Sequence, residues 1–287
     1  MTTVLLTGAS GFTGQYMQKK LESQGMAVHA LQGSLLDLEQ VQEQVMRIQP
    51  EWIIHLAAIS SVDHNDPEAF YKVNVFGTLN LLEALTSLKK LPQKVLIASS
   101  ANVYGMPDVD AIDESICPKP VNHYACSKLT MEHLVRNYFD KLPILITRPF
   151  NYTGIGQQSN FLIPKLVENF SKKSSTLQLG TLDISRDFSD VRDVVSCYRA
   201  LLQSDHHSEI VNICSGKSVS LAYIINFLEQ LAGYSIEIET QPHLIRKNDI
   251  TRLCGSNVKL KSMINSPAFR PIEETLQEML ENWNYHE

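Results

Sequence analysis

Short runs of apolar residues alternate along the chain with longer segments in which apolar positions recur every three or four residues. The short runs have the two-sided apolar character of strands buried in a parallel sheet, and the longer segments have the spacing of amphipathic helices. The pattern predicts strands at 4–7, 27–31, 52–56, 95–98, 144–147 and 210–213. It predicts helices at 14–24, 38–48, 74–88, 124–139, 161–170, 194–202, 221–231 and 271–283. This alternation predicts an α/β fold with a doubly wound parallel sheet.

Beyond residue 149 the pattern loosens and the predicted loops become longer. We therefore expect a smaller C-terminal lobe made of residues 151–189 and 215–287. The main sheet takes residues 1–150 and also 190–214, a stretch that returns to it. With 44% hydrophobic and 20% charged residues, the chain has the composition of a globular protein.

The charge and the apolar runs exclude several classes of partner. A net charge of −6 offers no basic surface for nucleic acid. No apolar run approaches the roughly 20 residues that a membrane span needs, and the first residues lack the positive region of a signal peptide. The five cysteines form neither a CxxC pair nor a cluster with histidine, so we expect neither a metal site nor a disulfide framework. These features predict a cytoplasmic protein with no nucleic-acid or membrane partner.

Three glycines, Gly8, Gly11 and Gly14, follow the first predicted strand and open the first helix. Glycines at this spacing let the backbone turn tightly, approach a pyrophosphate and pack the helix closely on the strand. The helix then presents free amide groups and the positive end of its dipole to phosphate. In this context the turn predicts a dinucleotide site in a Rossmann-type sheet rather than a plain tight turn. The predicted cofactor contacts here are Gly8, Ser10, Gly11, Phe12, Thr13 and Gly14.

The second strand lacks the acidic residue with which many NAD-binding proteins hold the ribose hydroxyls. It ends in Gln32-Gly33-Ser34, and neither an acid nor an Arg or Lys occurs between Glu22 and Asp37. NADPH and NADH therefore both stay open as the cofactor, and the missing carboxylate favours NADPH. Asp37 is placed to cap the next helix, and the short linker before it indicates that a strand–helix segment is missing.

Two further segments are predicted to flank the cofactor. Leu56, Ala57 and Ala58 end the third strand, where small residues permit a close backbone approach. Asn74 begins a predicted helix, and its amide either bonds a loop carbonyl beside the cofactor or caps the helix. The residues alone leave both interpretations open.

Tyr124 and Lys128 lie four residues apart on a predicted helix, so both side chains project from one face. A phenol titrates near about 10, and a neighbouring ammonium lowers that pKa. Tyr124 is therefore a candidate for proton exchange with a substrate oxygen. Ser100 follows the strand 95–98 at its carboxyl end, where doubly wound sheets bind ligands. An exposed tyrosine beside a solvated lysine and a polar turn at Ser100 are the alternatives.

With these motifs in this order, the chain resembles the extended short-chain dehydrogenase/reductase family, also called the NAD-dependent epimerase/dehydratase family. The resemblance is carried by TGASGFTG (7–14), HLAA (55–58), NVFGTLNLLEA (74–84), SSANVYG (99–105), YACSK (124–128), RPFN (148–151), RDFSDVRD (186–193) and VNICSG (211–216). It implies that Ser100, Tyr124 and Lys128 form a catalytic triad, and that Tyr124 and Lys128 also contact a nicotinamide cofactor. It further implies a homodimer.

Within the family, the chain is most similar to reductases of the C4 ketone of nucleotide-diphospho-4-keto-6-deoxyhexoses, such as GDP-4-keto-6-deoxymannose reductase. The resemblance implies an NAD(P)H-dependent reductase of deoxysugar biosynthesis. A nucleotide-sugar 4-epimerase with tightly bound NAD is the alternative, and a non-catalytic cofactor-binding protein is a more distant one. A 4,6-dehydratase needs an acid and a base at positions that hold Ala101 and Asn102 here.

The substrate implied by the resemblance carries a diphosphate, whose oxygens match the donor fork of arginine. Asn151, Arg186 and Arg246, together with Ser100, match the family's substrate contacts, and they place nucleotide-sugar binding in the C-terminal lobe. A surface salt bridge, such as one between Arg186 and Asp187, is the alternative. The sequence leaves the base (GDP or dTDP), the sugar and the C4 stereochemistry undetermined.

Overall fold

The computed structural model describes residues 1–60, 66–245, 250–265 and 267–283. Its strands are β1 (Thr3–Thr7), β2 (Ala27–Ala30), β3 (Trp52–His55), β4 (Lys94–Ala98), β5 (Ile144–Pro149), β6 (Asn151–Thr153), β7 (Thr176–Leu179), β8 (Ser185–Asp190), β9 (Glu209–Ile213), β10 (Ser218–Ser220), β11 (Glu237–Thr240) and β12 (Arg252–Leu253). Its α-helices are α1 (Phe12–Glu22), α2 (Leu38–Ile48), α3 (Pro67–Tyr71), α4 (Thr78–Thr86), α5 (His123–Val135), α6 (Leu162–Ser171), α7 (Val191–Gln203), α8 (Leu221–Ala232), α9 (Val258–Met263) and α10 (Ile272–Glu281). A π-helical turn spans Lys72–Gly77, and 3₁₀ turns span Ala101–Tyr104, Arg136–Tyr138 and Pro242–Leu244. None of the helices in these ranges has the length and apolar character that crossing a membrane requires.

Six parallel strands form the main sheet in the order β2-β1-β3-β4-β5-β9. β2 lies on one side of β1, and the later strands β3, β4, β5 and β9 follow on the other side. At this change of side a crevice opens beyond the carboxyl ends of the strands. Val4 and Leu6 pack into a hydrophobic cluster with α1 and α7, whereas Leu5 packs into a second cluster with α2, α4 and α5. Helices therefore cover both faces, and the predicted doubly wound α/β fold is confirmed.

β2 lies at one edge of this sheet, and residues 31–37 lead from it directly to α2. Within the described residues, no strand pairs with the outer side of β2. This arrangement agrees with the prediction that a strand–helix segment is missing. The predicted cap is also confirmed, because the Asp37 carboxylate accepts the amide hydrogen of Gln40 at 3.1 Å.

The C-terminal half contributes a smaller mixed sheet. β8 pairs with β10, β12 and β6, while β7 and β11 form a separate parallel pair. A third hydrophobic cluster packs α6, α8 and α10 against β7 and β8. Between the segments of this sheet, residues 191–213 return to the main sheet, since α7 packs with α1 and β9 pairs with β5.

The helix predicted at 74–88 begins earlier than its apolar spacing indicated. α3 starts at Pro67, and the Asp66 carboxylate accepts the amide hydrogens of the two residues that follow the proline. An acidic cap followed by proline is a strong helix start. The π-helical turn then joins α3 to α4, so Asn74 lies inside the helical segment and its interpretation as a cap was wrong.

Candidate active site

The turn between β1 and α1 excludes side chains at two of its glycines. Gly8 has a φ of +71°, and a Cβ atom there would lie 2.7 Å from the nitrogen of Ala57. A Cβ atom at Gly14 would collide with the carbonyl oxygen of Gly8. At the N-cap of α1, Gly11 offers no capping side chain, which leaves the first-turn amide groups available for an anion.

A cavity of about 660 Å³ opens beside this turn. It is lined by the glycine turn, part of α1, Ala57, and residues 30–36, which include the last residue of β2 and the segment that follows it. The predicted contacts Gly8 and Ser10 line it, and so do Gln15 and Gln32, which the sequence did not single out. Among the described residues, no side chain that lines the cavity carries a charge, so a bound anion is held here by amide groups and the helix dipole.

The side chains of Phe12 and Thr13, two predicted cofactor contacts, lie against the smaller sheet. The Phe12 ring stacks on Tyr152 of β6 with centroids 6.2 Å apart, and the Thr13 hydroxyl lies 2.8 Å from the Tyr152 hydroxyl. Neither side chain lines the cavity, because both join the glycine turn to the smaller sheet. The backbone amides of these two residues, in the first turn of α1, stay available to a cofactor.

The chain at Gln32 is held by a second glutamine that the sequence analysis missed. The backbone N–H of Gln32 donates to Gln44 Oε1 at 2.9 Å, and Gln44 Nε2 donates to the backbone carbonyl oxygen of Gln32 at 2.8 Å. Gln44 is buried on α2 beside Val41 and Val45. A glutamine within that apolar spacing was the available signal, since a buried amide needs partners.

The predicted triad residues meet at the carboxyl end of β4. Ser100 follows β4, and its hydroxyl lies near enough to the phenol of Tyr124 to lower the pKa of that phenol. Tyr124 lies one turn before Lys128 on α5. Lys128 Nζ donates to the carbonyl oxygen of Ala98 at 2.8 Å. All three side chains are buried, so their hydrogen bonds are shielded from water. Asn122 caps the start of α5 and thereby sets where this helix begins.

Burial shifts the pKa of the phenol and that of the ammonium in opposite directions. It raises the pKa of Tyr124 to about 12, against a smaller lowering by the neighbouring Ser100 hydroxyl. It lowers the pKa of Lys128 to about 8. The predicted net lowering of the Tyr124 pKa was therefore wrong, because desolvation of the phenolate dominates. Tyr124 keeps its proton at neutral pH and is suited to donate it.

A buried ion pair holds α5 against the sheet. Arg148 of β5 donates from Nε and Nη2 to the two carboxylate oxygens of Glu132, at 2.9 and 2.6 Å. The Arg148 guanidinium also lies 4.7 Å from the centre of the Tyr104 ring. Glu132 lies one turn beyond Lys128, so this bidentate pair determines the rotation of α5 and the direction of Tyr124.

Asn74 makes the loop contact that the sequence left open. Its Oδ1 accepts the Ile59 amide hydrogen at 2.9 Å, and its Nδ2 donates to the Ile59 carbonyl at 3.3 Å. Nδ2 also donates to the hydroxyl of Ser127 at 3.0 Å. Asn74 therefore joins the loop after β3, which includes Leu56 and Ala58, to the helix that carries Tyr124.

The predicted substrate residues lie in the smaller sheet where they are described. Asn151 is exposed at the start of β6, opposite Phe188 of β8. Arg186, two positions before Phe188, is buried and donates to the Thr251 carbonyl at 2.9 Å. Asn151 and Arg186 thus lie on neighbouring strands. Arg246 lies outside the described residues.

Asp187, the alternative partner of Arg186, is fully buried rather than part of a surface pair. Its carboxylate accepts hydrogen bonds from the amide and hydroxyl of Ser215 and from the amide of Gly216, at 2.6 to 2.9 Å. Asp187 therefore connects β8 to the loop between β9 and β10 through these hydrogen bonds.

Comparison with known proteins gives consistent relationships. The family model described as GDP-mannose 4,6 dehydratase matches residues 30–279. The chain is 36% identical to GDP-6-deoxy-D-talose 4-dehydrogenase of Aggregatibacter actinomycetemcomitans over 97% of each chain. It is 31% identical to GDP-6-deoxy-D-mannose reductase of Pseudomonas aeruginosa over 98% of this chain and 96% of that one. The structure of RMD from Pseudomonas aeruginosa complexed with NADPH matches with a TM-score of 0.91 and 30% identity, over 100% of this chain and 99% of that one.

Proposed function

The chain belongs to the extended short-chain dehydrogenase/reductase family, and from that membership we propose that it is an NAD(P)H-dependent reductase. Its substrate is the C4 ketone of a nucleotide-diphospho-4-keto-6-deoxyhexose. The observation that carries the proposal is that three buried side chains, Ser100, Tyr124 and Lys128, come together at the carboxyl end of β4, with Lys128 one helical turn from Tyr124. The two relatives are named for GDP-linked 6-deoxy sugars, which favours GDP-4-keto-6-deoxymannose over dTDP-4-keto-6-deoxyglucose.

Tyr124 is the proton donor of this reaction. With a pKa of about 12 its phenol carries a proton at neutral pH, and it gives that proton to the ketone oxygen during reduction. Ser100 polarises the same oxygen, because its hydroxyl lies beside the phenol at the carboxyl end of β4. Lys128 places an ammonium one helical turn away, where it stabilises the phenolate left after proton transfer. A reduced nicotinamide supplies the hydride when it is bound.

The cofactor site fits either reduced nicotinamide dinucleotide. Gly8 and Gly14 permit a close backbone approach, and the uncapped start of α1 offers amide groups to a pyrophosphate. Near Gln32 the part of the cavity wall that the structure describes holds neither a carboxylate that would repel a 2′-phosphate nor a cation that would bind it. The enzyme therefore uses NADPH or NADH, and the absence of a repelling charge favours NADPH.

Substrate binding falls to the smaller sheet and the triad. Asn151 offers an exposed amide, and Arg186 and Arg246 offer guanidinium groups to the diphosphate. Ser100 contacts the sugar at the ketone oxygen. This division places the nucleotide on the C-terminal lobe and the reacting carbon at the end of β4.

Water elimination is not part of the proposal, although the matching family model is named for a 4,6-dehydratase. Elimination across C5 and C6 requires an acid and a base beside those carbons. Ala101 and Asn102 occupy the first two positions of the 3₁₀ turn that follows Ser100. An alkyl group and a neutral amide cannot perform those proton transfers.

A substrate panel tests the proposed activity. The protein is incubated with the GDP- and dTDP-linked 4-keto-6-deoxy sugars and either cofactor, and the product configuration at C4 is read by NMR. We expect one mole of cofactor to be oxidised for each mole of 4-hydroxy product. Tyr124→Phe should lower turnover at least about 100-fold while NADPH still binds. Tyr138→Phe, which removes a phenol outside the triad, is the matched control.

Two other results would contradict the proposal. Interconversion of sugars without net cofactor consumption would indicate a 4-epimerase that recycles bound NAD. Cofactor binding without turnover of any sugar in the panel would indicate a non-catalytic binding protein.

A further inference from the structure

His55 is a buried histidine at the centre of the main sheet, and the proposed mechanism gives it no part. It ends β3, is 3% exposed, and lies between Thr7 of β1 and Ile97 of β4. Each ring nitrogen has one partner. Nδ1 lies 2.7 Å from the Thr7 hydroxyl, and Nε2 lies 2.8 Å from the Thr78 hydroxyl.

These partners determine the tautomer of the ring. The Thr78 hydroxyl donates its single hydrogen to the carbonyl oxygen of Asn74 at 2.7 Å, so its oxygen is left to accept from His55. Nε2 therefore carries the ring hydrogen, and Nδ1 accepts from the Thr7 hydroxyl. The Thr7 oxygen in turn accepts the amide hydrogen of Ala57 at 3.2 Å. In this series of hydrogen bonds, which runs from Ala57 through Thr7, His55 and Thr78 to Asn74, every donor and acceptor then has a partner.

A second ring proton would break this arrangement. It would point from Nδ1 at the Thr7 hydroxyl, whose own hydrogen would lose its acceptor. Burial, and to a smaller extent the charge of Lys128, lower the pKa of His55 to about 3. The ring is therefore neutral throughout the physiological pH range, and each hydrogen bond keeps its direction.

The series of hydrogen bonds has two arms that start at His55, and the arm through Thr7 ends at the cofactor cavity. Through Thr7, His55 holds the amide of Ala57, a residue that lines the cavity. The Ala57 amide lies directly against Gly8, where even a Cβ atom would come within 2.7 Å of it. A shift of Ala57 would therefore displace the glycine turn.

The other arm ends at the proton donor. Through Thr78, His55 holds the backbone of Asn74 in the π-helical turn. The Asn74 side chain donates to the Ser127 hydroxyl at 3.0 Å, and that hydroxyl donates to the Tyr124 carbonyl at 2.8 Å. The first turn of α5, which carries Tyr124, is thus hydrogen-bonded to the turn that His55 holds, and the same ring also holds the cofactor side.

We propose that His55, as the neutral Nε2–H tautomer, is a positioning residue that aligns the cofactor with the proton donor. Nδ1 orders the cofactor side through Thr7, and Nε2 orders the Tyr124 side through Thr78. The kinetic part of this inference rests on the proposed reductase function. The tautomer and the affinity for cofactor do not depend on sugar turnover.

Two substitutions separate the two arms, because asparagine reaches only the position of Nδ1 and glutamine only that of Nε2. His55→Asn keeps an acceptor for Thr7, so we expect an unchanged dissociation constant for NADPH and a kcat lowered about fivefold, the effect of one neutral hydrogen bond. His55→Gln keeps a donor for Thr78, so we expect kcat to be kept and the dissociation constant to rise about fivefold. Thr78→Val and Thr7→Val are the matched controls and should reproduce the first and the second pattern respectively.

The separation of kcat from NADPH affinity is the readout that a merely structural role would not produce, and the nitrogen NMR shifts of the imidazole test the tautomer itself. We expect a protonated Nε2 and an unprotonated Nδ1 at neutral pH. A ring that is charged or protonated at Nδ1 would overturn the proposal. So would a result in which the variants lose kcat and NADPH affinity together, in proportion to the fraction of protein that is unfolded. If wild-type protein reduces no keto sugar, the proposed function fails alone, and the tautomer with the NADPH affinities of the four variants decides the role of His55.

Discussion

Lowering the pH from 7 to 5 should destabilise this protein through His55. The ring has a pKa of about 3 in the folded protein, against about 6.5 for a free imidazole. Between these values the unfolded chain binds a proton that the folded chain does not, so the free energy of unfolding falls as the pH falls. At about 1.4 kcal/mol for each pH unit below 6.5, the loss between pH 7 and pH 5 is about 2 kcal/mol.

Urea unfolding at pH 7, 6 and 5, followed by circular dichroism, measures this loss. His55→Asn should be less stable than wild type at pH 7, because it loses the bond to Thr78, yet it should lose about 2 kcal/mol less on acidification. His29→Asn removes an exposed histidine of β2 and should keep the wild-type pH dependence. Equal pH dependence in wild type and His55→Asn would refute the reasoning, since the folded protein would then protonate the ring.

Three further substitutions test the site. Gln32→Asp should raise the KM for NADPH at least about tenfold and spare NADH, because a carboxylate in the cavity wall repels a 2′-phosphate; Gln32→Asn is the control in steady-state assays with both cofactors. Glu132→Gln should cost about 3–5 kcal/mol of unfolding free energy in urea titrations, because the Arg148 charge stays buried without its partner; a loss below about 1 kcal/mol would contradict this. Gly14→Ala should abolish NADPH binding in fluorescence titrations, since its methyl group would overlap the Gly8 carbonyl oxygen; unchanged binding would show that the turn can relax.

Much of the main sheet follows from signals between residues close in the chain. The helix predicted at 38–48 coincides with α2, and Asp37 caps it as expected. Such helices are predictable because apolar spacing and capping depend on residues within a few positions of each other. The start of α3 was missed although Asp66 and Pro67 carried the same kind of signal.

Other features depend on contacts that no local pattern encodes. Gln44 holds the chain at Gln32 only because α2 packs beside the end of β2. The side chains of Phe12 and Thr13 turn to Tyr152 because β6 reaches the glycine turn. Sequence spacing gave no means to find these partners.

By itself, the sequence determined the six strands of the main sheet, the glycine turn, and the shared helix face of Tyr124 and Lys128. Only the tertiary structure decided that Ser100 meets the phenol, that His55 joins the cofactor turn to α5, and that burial raises the pKa of Tyr124 instead of lowering it. The physical reason is that hydrogen bonds between distant segments and the desolvation of a charge arise from the packing of whole elements.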